Sequence, residues 1–192
     1  ESEAPTLKEI EVTTFRAEGK YTDRRHPDEV RFAETLEEDL SRRDFTVNAI
    51  ALEFLISNSQ FPKLIDPFDG QDDLKKKIIR AVGEPEKRFE EDALREMRAV
   101  RLATELDFEI EKNTFAAIKK LSGNLAFIAK ERIRDELMKI IGSAKAREGI
   151  ELLRELGLLK HIMPELEEGV GVTNRPKIFT IWEHNLKALE YG

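Results

Sequence analysis

The spacing of hydrophobic positions changes once along the chain, close to residue 84. Before that point, three short segments have the pattern of strands, and they are Glu9–Arg16, Val30–Phe32 and Ala51–Ile56. Two helices are predicted in the same part. One begins at Thr35, which stands three residues before Glu38 as in a capping box, and continues through Leu52. The other covers Asp72–Arg80 and has one apolar face.

After Pro85 the pattern is helical, and no further strand is predicted. The apolar spacing predicts helices over Phe89–Leu102, Glu111–Leu121, Ile128–Ile141 and Ala144–Glu155. Glycines follow the last two of these, as is common at helix ends. The two patterns together predict an α+β chain with domains over residues 1–84, 85–142 and 143–192.

One of the predicted helices, Phe89–Leu102, carries a row of charges. An acid and three arginines recur at every third position, namely Asp92, Arg95, Arg98 and Arg101. The first three therefore share a sector of about 120° on the helix surface. One interpretation is a solvated face with weak ion pairs. The other is a nucleobase template, in which Asp92 accepts a hydrogen bond from an exocyclic amine and Arg95 donates one to a ring acceptor. Cytosine and adenine offer that arrangement, whereas uracil and guanine do not.

Composition narrows the classes of function. The 192 residues are 40% hydrophobic and 37% charged, which is typical of a folded, helix-rich protein. No apolar run approaches the roughly 18 residues of a membrane span and no signal peptide is present, so a cytoplasmic location is expected. The chain has no cysteine and three histidines, so a metal site would depend on carboxylates, and Mg²⁺ is the metal expected. The net charge of −7 argues against a basic coat but permits a local groove lined by arginines.

Four stretches resemble, in order, the motifs of one enzyme family. They read Arg-Arg-Asp-Phe-Thr-Val-Asn-Ala (42–49), Asp-Pro-Phe-Asp-Gly-Gln-Asp-Asp-Leu (66–74), Glu-Asp-Ala-Leu-Arg (91–95) and Glu-Arg-Ile-Arg-Asp-Glu-Leu (131–137). The chain resembles the class II tRNA nucleotidyltransferases, which are the CCA-adding and A-adding enzymes, and the related bacterial poly(A) polymerases. The resemblance implies a partial nucleotidyltransferase head with a small sheet over 1–84, an all-α neck that selects the nucleotide over 85–142, and the start of an all-α body over 143–192.

The resemblance also implies roles for individual residues. Arg43 would contact the sugar or phosphates of the incoming nucleotide and take part in catalysis. Asp92 and Arg95 would be the base template, which agrees with the hydrogen-bonding argument above. Arg98 and Arg101 would make further nucleotide contacts from the same helix.

The head is expected to contribute one acidic residue and one loop. Glu11 matches the strand position of the family's third acidic residue, beside the catalytic metal, and the loop 17–29 matches the flexible loop that influences the switch from C to A addition. The family's Gly-Gly-x-Val-Arg-Asp and Asp-x-Asp segments, which bind the triphosphate and two Mg²⁺ ions, have no counterpart in this sequence. We therefore expect the chain to be inactive alone, as a fragment or as part of a split enzyme. The protein partner expected is either a second copy in a homodimer or a different chain that supplies the missing head segment.

The function implied by the resemblance is transfer of CMP or AMP from CTP or ATP to the 3′ end of tRNA, with Mg²⁺ and with release of pyrophosphate. A bacterial poly(A) polymerase is the alternative within the family, because it shares the motifs. A non-catalytic nucleotide- or RNA-binding fragment is the alternative of another class, because the Asp-x-Asp pair is absent.

Overall fold

A computed structural model describes residues 12–19, 29–54, 63–173 and 178–191 of the chain. The described strands are β1 (Arg16–Glu18), β2 (Val30–Phe32), β3 (Ala51–Glu53), β4 (Lys63–Ile65), β5 (Ile78–Ile79) and β6 (Glu109–Ile110). The described helices are α1 (Leu36–Ser41), α2 (Gly70–Lys76), α3 (Pro85–Glu91), α4 (Leu94–Leu106), α5 (Lys112–Leu121), α6 (Lys130–Ile141), α7 (Ala146–Glu155), α8 (Leu159–Ile162), α9 (Pro164–Glu167) and α10 (Ile181–Tyr191). Short 3₁₀ turns cover Thr46–Asn48 and Ser122–Phe127. The α+β class is confirmed.

The strands pair two by two within the described part of the chain. β1 and β2 are antiparallel with Arg16 opposite Phe32, and β3 and β4 are antiparallel with Ala51 opposite Ile65. β5 and β6 form a two-residue parallel pair. The prediction that no strand follows Pro85 was therefore wrong. A two-residue strand is too short to leave a period in the sequence, and its partner lies about thirty positions earlier.

The first predicted strand and the first predicted helix both have different bounds in the structure. Residues 9–11 lie outside the described part, residues 12–15 are not a strand, and β1 begins at Arg16, because β2 offers only three residues for pairing. Thr35 does cap α1, since its hydroxyl accepts the Glu38 N–H at 3.2 Å. The helix ends at Ser41 instead of continuing through Leu52.

The backbone after α1 leaves the helix to pair with a distant segment. The Thr46 N–H donates to the Arg80 carbonyl at 2.9 Å, and the Val82 N–H donates to the Asp44 carbonyl at 3.1 Å. Phe45 lies between these two bonds and is fully buried. Burial of a large aromatic side chain together with two long-range backbone bonds outweighs local helix propensity here.

The second predicted helix is shorter at its end than expected. α2 begins at Gly70, where the Asp66 carboxylate accepts the backbone N–H groups of Gly70 and Gln71 at 2.8 and 2.9 Å. It ends at Lys76, and Ile78 and Ile79 then form β5. Gly70 has no substitute, because a Cβ atom there would lie 2.2 Å from the Thr46 carbonyl oxygen. This close approach holds α2 against the 3₁₀ turn that follows Phe45.

The helix predicted over Phe89–Leu102 is two helices, α3 and α4, with a break at residues 92 and 93. The three helices predicted after it are confirmed as α5, α6 and α7 with small changes at their ends. α4 is the centre of the fold and contacts α3, α6, α7, β5 and β6. The main hydrophobic cluster extends from Phe45 to Leu186 and so draws on all three predicted domains. Among the described helices, none is long and apolar enough to cross a membrane.

Candidate nucleotide-binding site

Asp92 lies at the break between α3 and α4, in extended backbone with φ −147° and ψ 106°. The prediction that it belongs to the same helical face as Arg95 and Arg98 was therefore wrong. Its Oδ1 atom accepts the Leu94 N–H at 3.0 Å and so satisfies a free donor in the first turn of α4. Its Oδ2 atom accepts from Nη2 of Arg132 at 2.8 Å. Two groups from different segments thus fix the orientation of this carboxylate.

Arg95 lies one turn further along, and its backbone N–H donates to the Asp92 carbonyl at 3.0 Å. Its Nη1 atom donates to the Glu91 carboxylate and to the Arg88 carbonyl, and its Nη2 atom donates to the Arg42 carbonyl at 3.3 Å. These bonds use three of the five N–H donors of a guanidinium, and no described residue uses the other two. The side chains of Arg95 and Asp92 are 11% and 15% exposed. They are not part of a solvated face.

Arg98 joins α4 to the segment that carries Arg43. Its Nε and Nη2 atoms lie 2.7 and 2.6 Å from Oδ2 of Asp44. The Asp44 side chain is buried, and its Oδ1 atom accepts from the Phe45 N–H and from the Asn48 amide at 2.9 and 3.0 Å. Burial disfavours the ionised form of Asp44, but the positive charge of Arg98 and these hydrogen bonds outweigh it and hold the pKa of the carboxyl group below its usual value.

Arg101 points to another partner. Its Nε atom lies 3.2 Å from Oε2 of Glu136 on α6 and 3.7 Å from the Glu105 carboxylate. The contact with Glu136 is ionic, because the two buried atoms are not aligned as a hydrogen bond. The structure therefore brings Arg101 into an ion-pair cluster between α4 and α6, separate from the contacts of Asp92 and Arg95.

Arg43 is more exposed than Arg95, Arg98 and Arg101, with 43% of its side chain accessible. Its Nη2 atom lies 3.2 Å from Oδ2 of Asp39, while Arg42 binds Oδ1 of the same carboxylate at 2.7 Å. Burial opposes ionisation of Asp39, but the Arg16 N–H and the two arginines lower the pKa of this carboxyl group overall. Arg43 thus lies at the surface, and Asp39 is its anionic partner among the described residues.

A polar cleft of about 210 Å³ lies next to these residues, between the first hairpin, α1 and α3. Three arginines, two glutamates and a serine line it, namely Arg31, Arg42, Arg88, Glu38, Glu91 and Ser41. Glu91 is the residue that also binds Arg95. The cleft therefore opens beside the residue pair that the sequence assigns to base selection.

Two predicted features lie outside the described residues. Glu11 is one, and most of the loop 17–29 is the other, because residues 20–28 are not described. Within the described ranges, no three carboxylate, histidine or cysteine side chains come together as a metal site.

No functional role was predicted from the sequence for Arg132, Glu136 or Asp44. All three lie in the motifs that indicate the family, and the i,i+4 spacing of Arg132 and Glu136 places them on one face of a helix. That spacing was a usable signal. The spacing does not identify their partners, which are Asp92 before α4 and Arg101 on α4, because these depend on how α6 packs against α4.

Comparison with known proteins gives two domain matches. Residues 3–80 match the model of the poly A polymerase head domain, and residues 107–169 match the model of the probable RNA and SrmB-binding site of polymerase A. The CCA-adding enzyme of Leuconostoc mesenteroides is 51% identical over 188 residues, which cover 94% of this chain and 45% of that enzyme. The CCA-adding enzyme of Ligilactobacillus salivarius is 50% identical over 151 residues, which cover 79% of this chain and 36% of that enzyme.

The solved structures that the chain is similar to include a CCA-adding enzyme and a tRNA nucleotidyltransferase. The Bacillus stearothermophilus CCA-adding enzyme in complex with CTP matches with a TM-score of 0.70 and 41% identity, over 83% of this chain and 37% of that one. A tRNA nucleotidyltransferase complexed with a primer tRNA and an incoming ATP analog matches with a TM-score of 0.62 and 32% identity, over 70% of this chain and 41% of that one. The chain spans less than half the length of these relatives.

Proposed function

The chain belongs to the nucleotidyltransferase family of the CCA-adding enzymes, and from this premise we propose that its protein adds C and A from CTP and ATP to the 3′ end of tRNA. The observation that carries the proposal is the paired placement of Asp92 and Arg95 at the start of α4. Both side chains are largely buried, and both retain hydrogen-bonding capacity. Acting where tRNA, CTP and ATP occur, the protein would be cytoplasmic.

Base selection would follow from the remaining capacity of the two side chains. Each carboxylate oxygen can accept two hydrogen bonds, and Oδ2 of Asp92 uses one of its two on Arg132 among the described contacts. The second would accept the exocyclic amine of cytosine or adenine. The two unused donors of Arg95 would bind the neighbouring ring acceptor. Uracil or guanine would present a carbonyl to Asp92 and an N–H to Arg95, and each unpaired buried group would cost about 1–3 kcal/mol.

The rest of the nucleotide would extend from the base toward Arg43. The Arg95–Arg42 hydrogen bond brings the backbone before Arg43 next to the template, which supports a contact between Arg43 and the sugar or phosphates. The exposed guanidinium of Arg43 can form charge-assisted bonds with phosphate oxygens. Arg98 and Arg101 were expected to add nucleotide contacts, and their ion pairs with Asp44 and Glu136 support a less direct role.

Mg²⁺ would supply charge neutralisation at the attacking 3′ hydroxyl and the departing pyrophosphate. Glu11 is the one residue of this chain that we assign to it, from the resemblance alone. Within the described ranges, no three carboxylate or histidine side chains come together as a metal site.

The test is nucleotide addition by the full-length gene product to a tRNA transcript that lacks its last three nucleotides. We expect incorporation of C and A but not of U or G, and we expect Asp92→Ala to reduce the preference for CTP over UTP at least tenfold. Asp135→Ala is the matched control, because Asp135 on α6 is exposed and forms an ion pair only with Arg134 among the described residues. Unlimited addition of A to unrelated RNA would contradict tRNA repair, and an unchanged preference in Asp92→Ala would contradict the template.

A further inference from the structure

We propose that Arg98 is a positioning residue and not a nucleotide contact: its ion pair with Asp44 fixes the segment that carries Arg43 against the helix that carries Arg95. The inference rests on the proposed function, since it concerns how two parts of one nucleotide site are held together. It corrects the role that the sequence resemblance implied for Arg98.

The geometry of the ion pair argues against a free guanidinium. Nε of Arg98 donates to Oδ2 of Asp44 at 2.7 Å, and Nη2 forms an ion pair with the same oxygen at 2.6 Å. The other oxygen of Asp44 is held by the Phe45 N–H and the Asn48 amide. Asp44 itself is 8% exposed. A nucleotide that competed for this edge of Arg98 would leave a buried carboxylate without its charged partner, which is unfavourable.

The segment on either side of Arg43 is tied to α4 at two points. Arg98 binds the side chain of Asp44, and Arg95 binds the carbonyl of Arg42 at 3.3 Å. The other described anchors of this segment come from elsewhere: the Arg43 N–H donates to Leu40, and the Asp44 carbonyl accepts from Val82. Those bonds fix the local shape of the segment. The two contacts from α4 join the segment directly to the helix that carries Arg95.

This arrangement predicts a particular kinetic effect. The base of the incoming nucleotide would be held at Asp92 and Arg95, and its sugar or phosphates at Arg43. If Arg98 sets the separation between these two parts, its loss misplaces CTP and ATP equally. Misplacement by about 1 Å can cost roughly 100-fold in rate. The preference for cytosine over uracil, which depends on Asp92 and Arg95, would not change.

The experiment is a double-mutant cycle in the full-length gene product with Arg98→Met, Asp44→Asn and the combined variant. Arg98→Met keeps the length of the side chain, and Asp44→Asn keeps its shape. We expect each single variant to lower kcat/KM for CTP and for ATP by the same factor, about 10- to 100-fold. We expect the combined variant to be no worse than the poorer single variant, because both remove one interaction. Arg98→Lys should retain part of the activity that Arg98→Met loses. Arg134→Met changes an exposed arginine of α6 and should leave kcat/KM unchanged.

Two results would overturn the proposal. If Asp44→Asn left kcat/KM unchanged while Arg98→Met lowered it, Arg98 would act on the nucleotide directly. If Arg98→Met changed the ratio of CTP to UTP incorporation, Arg98 would contact the base. Unfolding curves of the same variants show whether Asp44 and Arg98 are coupled in the free protein, and this readout needs no nucleotide. Failure of the Asp92→Ala test would therefore overturn the proposed function and leave the coupling measurable.

Discussion

Asp92 and Glu96 are four positions apart, and their surroundings differ: the carboxyl group of Asp92 has hydrogen-bond donors next to it, whereas that of Glu96 has none among the described residues. Asp92 lies in the break before α4 and is held by Arg132 and by the Leu94 N–H. Glu96 lies on α4 itself and is completely buried, and neither of its oxygens has a hydrogen-bond partner among the described residues. Burial raises the pKa of Glu96 to about 8.

The difference shows what a nearby guanidinium does for a buried acid. A carboxyl group without a partner avoids the cost of burial by keeping its proton, whereas a paired one can be buried as an anion. Asp44 is a paired acid of this kind: burial opposes its ionisation, but Arg98 and the hydrogen bonds to the carboxylate keep the pKa of Asp44 below its usual value. The arginine-rich side of α4 is therefore the polar side, and Glu96 belongs to the core. Changes on each side should separate these two cases.

The largest expected effect is the pH dependence of stability due to Glu96. Its pKa is about 8 in the folded protein and near the ordinary 4.5 in the unfolded chain, so the folded state binds more protons between these values. The free energy of unfolding should therefore fall as pH rises from 5 to 8, by up to about 1.4 kcal/mol per pH unit from this group. Below pH 4.5 and above pH 8 the contribution of Glu96 is constant.

The measurement is chemical denaturation at pH 5, 6.5 and 8 for the native protein and Glu96→Met. The variant should lack this slope and be the more stable protein at pH 8, by a few kcal/mol at most. Glu90→Met is the control, because Glu90 is exposed on α3 and should keep the native slope. Parallel stability curves for the native protein and Glu96→Met would show that Glu96 is not a buried neutral acid.

A smaller effect is expected when Asp92 is made to resemble Glu96 by removal of its partner. Arg132→Met leaves the Asp92 carboxylate with only the Leu94 N–H among the described donors. We expect a loss of about 1–3 kcal/mol in the free energy of unfolding, since Asp92 is mostly shielded from water. Binding of CTP, measured by calorimetry, should weaken as well. Stability equal to that of the native protein would mean that water replaces Arg132 fully.

The sequence was sufficient for the helices that pack through regular apolar stripes. α5, α6 and α7 have the predicted positions because each has one buried face, and that face leaves a period in the sequence. The order of the four motifs was sufficient for the family. The helices depend on residues that are close together in sequence, and the family assignment depends on the order of the four motifs.

The features that were missed depend on long-range contacts. The end of α1 at Ser41 depends on pairing with residues 80–82, and β5 depends on β6. The break at Asp92 could not be predicted from the sequence, because the residues that follow it, Ala93, Leu94 and Arg95, are all good helix formers. The burial of Glu96 could not be predicted either. A glutamate among helix-forming residues suggests a solvated position unless the packing around α4 is known.

The smallest effect on stability is expected at Arg134 and Asp135 of α6, an exposed ion pair that can be compared with the shielded pair of Arg132 and Asp92. Arg134 and Asp135 contact each other at 2.9 Å, close to the 2.8 Å between Arg132 and Asp92, but both side chains are more than 60% exposed. Asp135→Asn should change the free energy of unfolding by no more than about 0.5 kcal/mol, because water solvates both charges and salt screens them. The same denaturation experiment at 0.05 and 0.5 M salt checks this. A loss as large as that of Arg132→Met would mean that distance and not burial decides the strength of these ion pairs, and the contrast between Asp92 and Glu96 would then need another cause.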